Sequence, residues 1–427
     1  SFLISRIFFR TPASRWLECY LSPSSATEQR RMERRWPAKS PIPLTLSSIA
    51  IRHAFANPSF PRLYGNNNGQ LPYFNGIKES DDLREISIFL EKGNDGIFNE
   101  GDFMLFAGEK TNRWTFDRNL GQYDYVRHNY SDTAFYFLTS GSGEGKVIQN
   151  LENPAGVINY FSSESDALHV YEKEQENLIK SGREWFEPVS YSADKEINPL
   201  FEEIITGEAV NFDIRVLARA PVPVDFSFLE NESLIGNISV QAVNLNSTTG
   251  AFAQSATLSG ESFPLSASPK YKIRFMNKGE ISAKGWLDYV RLQGRKRNVF
   301  KGETNYFSDK RSVSAGNITE FTIESSAGQE VVWDITDPYN VKNISFERSG
   351  DHIRFRATTD SLKTFVCFSS KGIKTPLISE KPVPNQNLHA SEYADMIILV
   401  HPLFSGQAAR LAGFHLRNSG IVSLLTT

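Results

Sequence analysis

The residue types that most often carry catalysis or metal binding are scarce in this sequence. The chain has two cysteines, Cys19 and Cys367, which stand far apart and belong to no CxxC pair. That spacing argues against a disulfide framework and against a thiolate zinc site. Cys367 lies in the apolar run FVCF with no histidine or cation adjacent to it. We therefore predict a packed thiol on a buried strand, and not an activated nucleophile.

One segment partly matches a calcium-binding loop. A glycine stands sixth, an apolar residue eighth and a carboxylate twelfth, and the candidate ligands are Glu91, Asp95, Asn99 and Asp102. The third position is Gly93, which offers no side-chain oxygen, and the flanking segments look like strands instead of helices. Two interpretations stay open: a weak calcium site, or, as we prefer, a hairpin turn capped by Asp and Asn side chains.

Two further patterns invite a binding function. The triplet Arg295-Lys296-Arg297 follows the strand-like WLDYVRL and would suit an anionic ligand, but three basic residues at a strand end usually form a solvated turn, which we prefer. The segment TSGSGEGKV is rich in glycine, but Val147 stands where a phosphate-binding loop needs Ser or Thr, so we predict a turn. No HExxH or GxSxG motif is present.

Length, charge and hydrophobicity limit the number of domains and the classes of function that this chain can have. The chain has 427 residues, of which 40% are hydrophobic. This length suggests roughly two to four domains with sizeable cores. The chain carries 46 Lys and Arg against 49 Asp and Glu, and the net charge of -3 argues against a dedicated nucleic-acid binder. No run approaches the ~18 apolar residues that a membrane helix needs.

The apolar pattern divides the first 200 residues into three parts. Residues 1–60 are rich in arginine and proline without a sustained period, which predicts an irregular or aberrant basic segment, as a disordered arm or a wrongly read gene segment would give. Residues 61–165, with the runs FMLFAGE and AFYFLTS, read as an N-terminal β-rich domain. Over 166–200 the apolar spacing becomes three and four, and Gly182 stands at a C-cap position, which predicts a surface helix and connector.

The remaining residues give a sandwich and an α/β unit. In residues 201–380, polar and apolar residues alternate in many short runs, which predicts an antiparallel β-sandwich. KPVPNQN, residues 381–387, reads as a linker. Residues 388–427 then read as strand (ADMIILV), helix closed by Gly420, and a second strand (IVSLLTT), the start of a parallel α/β sheet.

Six motifs resemble, in this order, the N-terminal part of the sortase-type proteins in the gingipain family of cysteine peptidases, which serve type IX secretion systems. They are RLYGNNNGQLP, NDGIFNEGDFMLFAGE, NYSDTAFYFLT, SGREWF, GWLDYVRL and ADMIILVHPLF. The resemblance covers about residues 62–427. It implies a mainly β fold, with an N-terminal β-rich domain and an antiparallel β-sandwich followed by the truncated start of a caspase-like α/β domain at 388–427.

The resemblance also implies a function and a location. Such a protein acts at the cell surface, on the extracellular face of the outer membrane, where it removes the C-terminal signal domain of secreted cargo and attaches the cargo to anionic lipopolysaccharide. The implied chemistry is acyl transfer through a thioester. Implied partners are cargo proteins with C-terminal signal domains, anionic lipopolysaccharide, the outer-membrane shuttle and attachment-complex proteins, and no nucleic acid. The triplet Arg295-Lys296-Arg297 would then dock lipopolysaccharide.

The catalytic pair of the family is missing from this sequence. The family histidine precedes glycine, whereas the seven histidines here precede Ala, Asn, Val, Ile, Ala, Pro and Leu. His401 ends the first strand of the α/β unit, so we interpret it as structural and leave a site-lining role open. We expect a non-catalytic fragment whose machinery lies mostly beyond Thr427, without a cofactor apart from the calcium candidate. The alternative is a non-enzymatic β-sandwich surface protein for adhesion or assembly.

Overall fold

The chain forms two compact units, Ser1–Pro382 and Val383–Thr427. The computed structural model describes residues 2–8, 16–21, 60–66, 69–74, 76–77, 80, 82–92, 94, 102–140, 143–197, 202–383 and 393–426. These residues are mainly β, as the sequence predicted, and most strand pairs are antiparallel. Within this described part, no helix has the length and apolar character needed to cross a bilayer.

The strands are numbered in chain order. The first ten are β1 (Phe2–Phe8), β2 (Trp16–Leu21), β3 (Pro61–Gly65), β4 (Arg84–Ile86), β5 (Phe89–Glu91), β6 (Phe103–Glu109), β7 (Arg113–Asp117), β8 (Gln122–Val126), β9 (Ala134–Ser140) and β10 (Gln149–Leu151). The next ten are β11 (Tyr160–Ser162), β12 (Glu164–Glu172), β13 (Glu187–Val189), β14 (Lys195–Ile197), β15 (Val210–Arg219), β16 (Val224–Glu230), β17 (Ser233–Val240), β18 (Gln254–Ser262), β19 (Tyr271–Met276) and β20 (Lys284–Arg297). Then follow β21 (Val299–Phe300), β22 (Thr304–Phe307), β23 (Ile318–Ser325), β24 (Val331–Asp334), β25 (Lys342–Ile344), β26 (Glu347–Ser349), β27 (His352–Thr358), β28 (Phe365–Phe368), β29 (Leu377–Val383), β30 (Met396–Leu399) and β31 (Ser423–Thr426).

Sheets 1 and 2 pack face to face. Sheet 1 has the strand order β29-β2-β9-β3-β4, and sheet 2 has the order β1-β6-β5. Phe106 and Tyr136 meet in the core between them, with ring centroids 5.2 Å apart. β6 is buried on both faces, because Met104 and Phe106 enter this core while Leu105 and Ala107 enter a second one. This explains why its sequence is continuously apolar.

Sheets 3 and 4 extend the stack. Sheet 3 has the order β10-β25-β24-β28-β22, and sheet 4 has the order β11-β23-β27-β26, with β21 beside β23. On β28, Phe365 and Cys367 face sheet 4, whereas Val366 and Phe368 pack with Leu105 of sheet 2. The four sheets therefore lie in the layer order 1-2-3-4. Strands β10 and β11, from the predicted N-terminal domain, pair with strands of the predicted sandwich region.

Sheets 5 and 6 form a separate sandwich. Sheet 5 has the order β12-β20-β15-β18, with β13 also on β20, and sheet 6 has the order β14-β19-β16-β17. Phe226 and Phe275 stack between the sheets with ring centroids 4.7 Å apart. A Cβ at Gly285 would lie 2.9 Å from both rings, so glycine is required there. The alternation predicted for β15 is confirmed by its buried side chains, which include Val210, Phe212, Ile214 and Val216.

The second unit has the predicted strand-helix-strand order. β30 and β31 pair in parallel, and the helix α1 (Ser405–Ser419) connects them. Gly420 ends the helix with a left-handed φ of 66°, and its N–H donates to the carbonyl of Leu416 at 3.1 Å. This is the C-cap that the sequence predicted.

The surface helix predicted within 166–200, from Asp166 to its cap at Gly182, is wrong. Glu164–Glu172 is the strand β12, which pairs antiparallel with β20 along nine residues. Ala167 and Tyr171 pack against the core of the sandwich, so an apolar spacing that suited a helix also suits alternate positions of a strand. This segment is a strand because it pairs with a strand more than a hundred residues away. Such a distant partner cannot be detected from the local periodicity of the sequence.

Residues 1–60 also differ from the prediction. Phe2–Phe8 and Trp16–Leu21 are not irregular but pair antiparallel with β6 and β9. β1 is an edge strand of sheet 2, a position where charged residues are tolerated, so its arginine did not exclude a strand. The predicted linker at 381–387 likewise begins as strand, because β29 continues to Val383. Residues 22–59 and 384–387 lie outside the described residues.

Candidate functional site

The predicted packed thiol is confirmed. Cys367 lies in β28 between two cores with 0% exposure, and burial raises the pKa of its thiol well above the ordinary value. It therefore cannot supply an accessible thiolate in the folded chain. His401 is exposed and begins a 3-10 helix, where its Nδ1 accepts a hydrogen bond from the N–H of Leu403 at 3.2 Å.

The four calcium candidates are only partly described. Glu91 ends β5 and is exposed, and Asp102 is buried just before β6. Asp95 and Asn99 lie outside the described residues. Within the part of the chain that is described, no group of three or more His, Cys, Asp or Glu side chains is arranged to hold a metal ion. Calcium binding at this segment stays a prediction.

The basic triplet is not a solvated turn, so that prediction is wrong. β20 continues through Arg297, and strand alternation separates Lys296 from its two neighbours, which themselves differ in burial. The side chain of Arg295 is 5% exposed, whereas that of Arg297 is 56% exposed and pairs with Glu203. Lys296 lies over the ring of Phe307 at 5.7 Å, and burial lowers its pKa to about 8. The triplet therefore presents no single basic surface.

Arg295 is the centre of a buried junction. Its Nη1 lies 2.8 Å from Oδ1 of Asp166 and 2.7 Å from Oδ1 of Asp309. Tyr123 donates to Asp166 at 2.7 Å, and Ser162 donates to Asp309 at 2.8 Å. Burial alone would lower the pKa of Arg295, but the charges of Asp309 and Asp166 outweigh it and raise that pKa. The junction ties the β7–β8 hairpin and sheet 5 to the 3-10 helix at 310–312, so its role is structural.

A cleft of about 600 Å³ lies where the loop after β8 approaches the end of β12. Its lining combines tyrosine rings, amides and both signs of charge. The lining residues are Asn112, Tyr125, Arg127, His128, Asn129, Tyr130, Ser131, Asp132, Val170, Glu172 and Glu174.

One guanidinium holds two carboxylates in the cleft. Nη1 of Arg127 lies 2.9 Å from Oε1 of Glu172 and 2.7 Å from Oε1 of Glu174. Burial raises the pKa of both carboxyl groups, and each also feels the charge of the nearby Asp288. Burial likewise raises the pKa of the Tyr125 hydroxyl to about 12. Two carboxylates of the site therefore share one guanidinium.

The cleft can bind but has no evident nucleophile and base. Nδ1 of His128 accepts hydrogen bonds from the N–H groups of Tyr130 and Ser131, at 3.2 and 2.9 Å. The hydroxyl of Ser131 donates to the carbonyl of Thr133 at 3.0 Å, so it is not activated by the imidazole. Carboxylates and ring faces instead suit cations and hydrogen-bond donors.

A second concavity, of about 570 Å³, opens at one end of sheet 6. There Arg274 binds Asp194 through two bonds, from Nε at 2.8 Å and Nη2 at 2.7 Å. Because Arg274 is exposed and already paired with Asp194, these two side chains offer a ligand little uncompensated charge.

Comparison with known proteins shows which solved structure has a similar fold. No protein-family model matches the chain, and no curated protein matches it. The crystal structure of dimeric latent PorU from Porphyromonas gingivalis matches with a TM-score of 0.70 and 19% sequence identity. The match covers 100% of this chain and 37% of the PorU chain. The chain has a PorU-like fold.

Two other solved structures show only weak similarity. The insecticidal delta-endotoxin Cry8Ea1 from Bacillus thuringiensis has a TM-score of 0.20 at 13% identity, over 67% of this chain and 54% of that one. A cycloisomaltooligosaccharide glucanotransferase from Paenibacillus sp. has a TM-score of 0.14 at 8% identity, over 49% of this chain and 47% of that one. Neither match supports a statement about this chain.

Sequence reasoning missed the cleft of this PorU-like chain. Glu172 ends β12 and Glu174 follows it by two residues, whereas the local spacing predicts a helix here. Arg127 stands 45 residues before Glu172. No local signal in the sequence could have joined these three residues.

Proposed function

We propose that this chain is the non-catalytic N-terminal part of a sortase-like cysteine peptidase of a type IX secretion system. The whole protein would cleave the C-terminal signals of secreted cargo and attach the cargo to cell-surface lipopolysaccharide. One observation carries the proposal: the full length of the chain matches PorU at a TM-score of 0.70, while spanning 37% of the PorU chain. The six collinear motifs support the same conclusion independently of the fold.

The geometry supports a positioning role for the described β sheets. Cys367 is buried in the core between sheets 3 and 4, and the side chain of His401 accepts a hydrogen bond from the backbone of Leu403. The parallel pair β30–β31 resembles the start of an α/β sheet, whose chemistry sits beyond the carboxyl ends of several strands. The catalytic thiolate and base of the whole protein would therefore come from strands that follow these two.

The proposal includes partners and a location. Cargo proteins with C-terminal signal domains and anionic lipopolysaccharide would be the substrates, at the extracellular face of the outer membrane. The outer-membrane shuttle and the attachment-complex proteins would hold the enzyme there. No nucleic acid is part of the proposed function, which agrees with the net charge of -3.

The first test reads the nucleotides that follow the codon of Thr427. We expect further alternation of strands and helices, then a His-Gly pair, and later a cysteine after another strand. A stop codon, or a continuation as sandwich strands without a His-Gly pair, would favour the alternative of a non-enzymatic surface protein for adhesion or assembly.

The second test measures activity. A peptide that spans the signal junction of a secreted cargo protein should remain intact with the 427-residue chain and be cleaved by the full-length gene product. Deleting the codons for residues 202–383 from the gene in its own organism should leave secreted cargo with its signal domain attached. Normal maturation of cargo in that deletion strain would contradict the proposal, as would cleavage by the 427-residue chain alone.

A further inference from the structure

The outer edge of β12 remains open next to the cleft. β12 is the end strand of sheet 5, and it pairs with β20 on one side only. The beginning of its outer edge is covered, because the N–H of Asp166 donates to the carbonyl of Ser308 at 2.7 Å. Arg295, which lies opposite Asp166, directs its carbonyl the other way and accepts from Ile205 at 2.9 Å. The backbone groups of Asp166 therefore point away from β20.

Further along β12, every second residue also directs its backbone groups away from β20. Because backbone orientation along a strand recurs every two residues, the N–H and C=O groups of Leu168, Val170 and Glu172 also point away from β20. Among the described residues, no hydrogen bond reaches these outward groups. A strand edge with unpaired donors and acceptors is a template for pairing with another extended chain.

The cleft beside this edge favours a positively charged occupant. Val170 and Glu172 line the cleft, and Glu174 and Asp132 add two more carboxylates to its lining. Arg127, the one guanidinium among the lining residues, binds Glu172 and Glu174, whereas no ion pair among the described residues involves Asp132. Burial raises the pKa of Glu172, and the charges of Asp288 and Glu174 add to this effect, while those of Arg127 and Arg291 oppose it. A lysine or arginine side chain would complement the site.

We propose that the outer edge of β12 and the adjoining cleft bind an extended peptide that carries lysine or arginine at every second position. The peptide backbone would pair with the outward groups of Leu168, Val170 and Glu172. Alternate side chains of an added strand fall on one face, so the basic residues would meet Glu172 and Glu174. This inference does not depend on the proposed function.

The test measures binding of three synthetic peptides to the full chain by isothermal titration. One alternates lysine and threonine, a second has the same composition with its lysines in one block, and the third replaces each lysine of the first with glutamate. We expect the alternating lysine peptide to bind at least about tenfold more tightly than either control.

Two variants probe the two halves of the site. Val170→Pro removes one outward N–H and leaves the ladder to β20 intact, since proline is tolerated at such edge positions. Glu174→Gln removes one carboxylate while Arg127 keeps Glu172. Each should weaken the alternating peptide about tenfold. Glu261→Gln on β18, at the other end of sheet 5, is the matched control and should leave binding unchanged.

Melting curves establish that each variant is folded. If Val170→Pro does not fold, an alternating peptide with N-methylated backbone amides replaces it, and its binding to the unmodified chain should fall to the level of the glutamate peptide. The proposal is overturned if the alternating and block peptides bind equally, if the backbone changes have no effect, or if Glu261→Gln weakens binding as much as Glu174→Gln.

Discussion

Arg295 and Asp166 form an ion pair in which both side chains are almost entirely buried, with 5% and 3% exposure and 2.8 Å between Nη1 and Oδ1. Asp309 approaches the same nitrogen from another element at 2.7 Å. The pair therefore joins sheet 5 to the segment that leads into sheet 4. Removing one member of such a group leaves the others as buried charges without compensation.

Arg295→Met should destabilise the chain strongly, by about 3–5 kcal/mol, because Asp166 and Asp309 lose their common cation in a buried position. Arg297→Met is the matched control two residues along the same strand, and its exposed pair should contribute less than about 1 kcal/mol. Urea unfolding of both variants measures the difference. Equal losses of unfolding free energy would show that the buried Arg295 junction stabilises the chain no more than the exposed pair of Arg297.

Cys367 should resist alkylation in the folded chain. Burial raises the pKa of its thiol, which lies in the core between sheets 3 and 4, so iodoacetamide reaches it only after local or global opening. In a Cys19→Ser background, we expect labelling at neutral pH to be at least about a hundredfold slower in buffer than in concentrated urea. Comparable rates, followed by mass spectrometry, would contradict the packed position of this thiol.

His169 should make the chain less stable in mild acid. Burial lowers the pKa of its imidazole to about 4. In the unfolded chain this pKa is near its ordinary value of about 6.5, so between these values the unfolded state binds a proton that the folded state does not. Stability is therefore lost as the pH falls from 6.5 to 4, by up to about 3 kcal/mol.

The variant His169→Gln isolates this contribution. Urea unfolding at pH 7 and at pH 4.5 should show that the variant loses less unfolding free energy on acidification than the unmodified chain, by roughly 1–3 kcal/mol. Carboxyl groups titrate in both proteins, so only the difference between them reports on the histidine. Identical losses would mean that His169 is protonated in the folded chain at its ordinary pKa.

The calcium candidate can be decided by melting. Gly93 supplies no side-chain oxygen at the third position, so we expect the melting temperature to be the same in chelator and in excess calcium. A rise of several degrees with calcium that Asp95→Asn abolishes would instead establish the metal site at Glu91, Asp95, Asn99 and Asp102.

Elements with a strong local pattern were predictable from the sequence. β15 alternates buried and open positions because one face meets sheet 6, and α1 ends at a glycine that adopts the left-handed conformation. In both cases the residues that determine the structure lie within a few positions of one another. Local propensity and burial therefore point to the same answer.

Elements defined by distant partners were not predictable. β12 owes its strand conformation to β20, and Arg295 owes its burial to Asp166 and Asp309. The cleft depends on the loop after β8 reaching the end of β12. The topology of the fold brings such partners together, and the residues next to each one in the sequence do not indicate which partner it will meet.

β6 and β28 each pack against a core on both faces, so the two cores of β6 cannot form at the same stage of synthesis. Leu105 is covered by Phe368 and its neighbours, so the ribosome must add more than 250 residues before that face leaves water. A shortened version ending near residue 160 would carry this apolar face uncovered and would be prone to aggregate. Sheets 1 and 2 thus depend for their solubility on residues made much later.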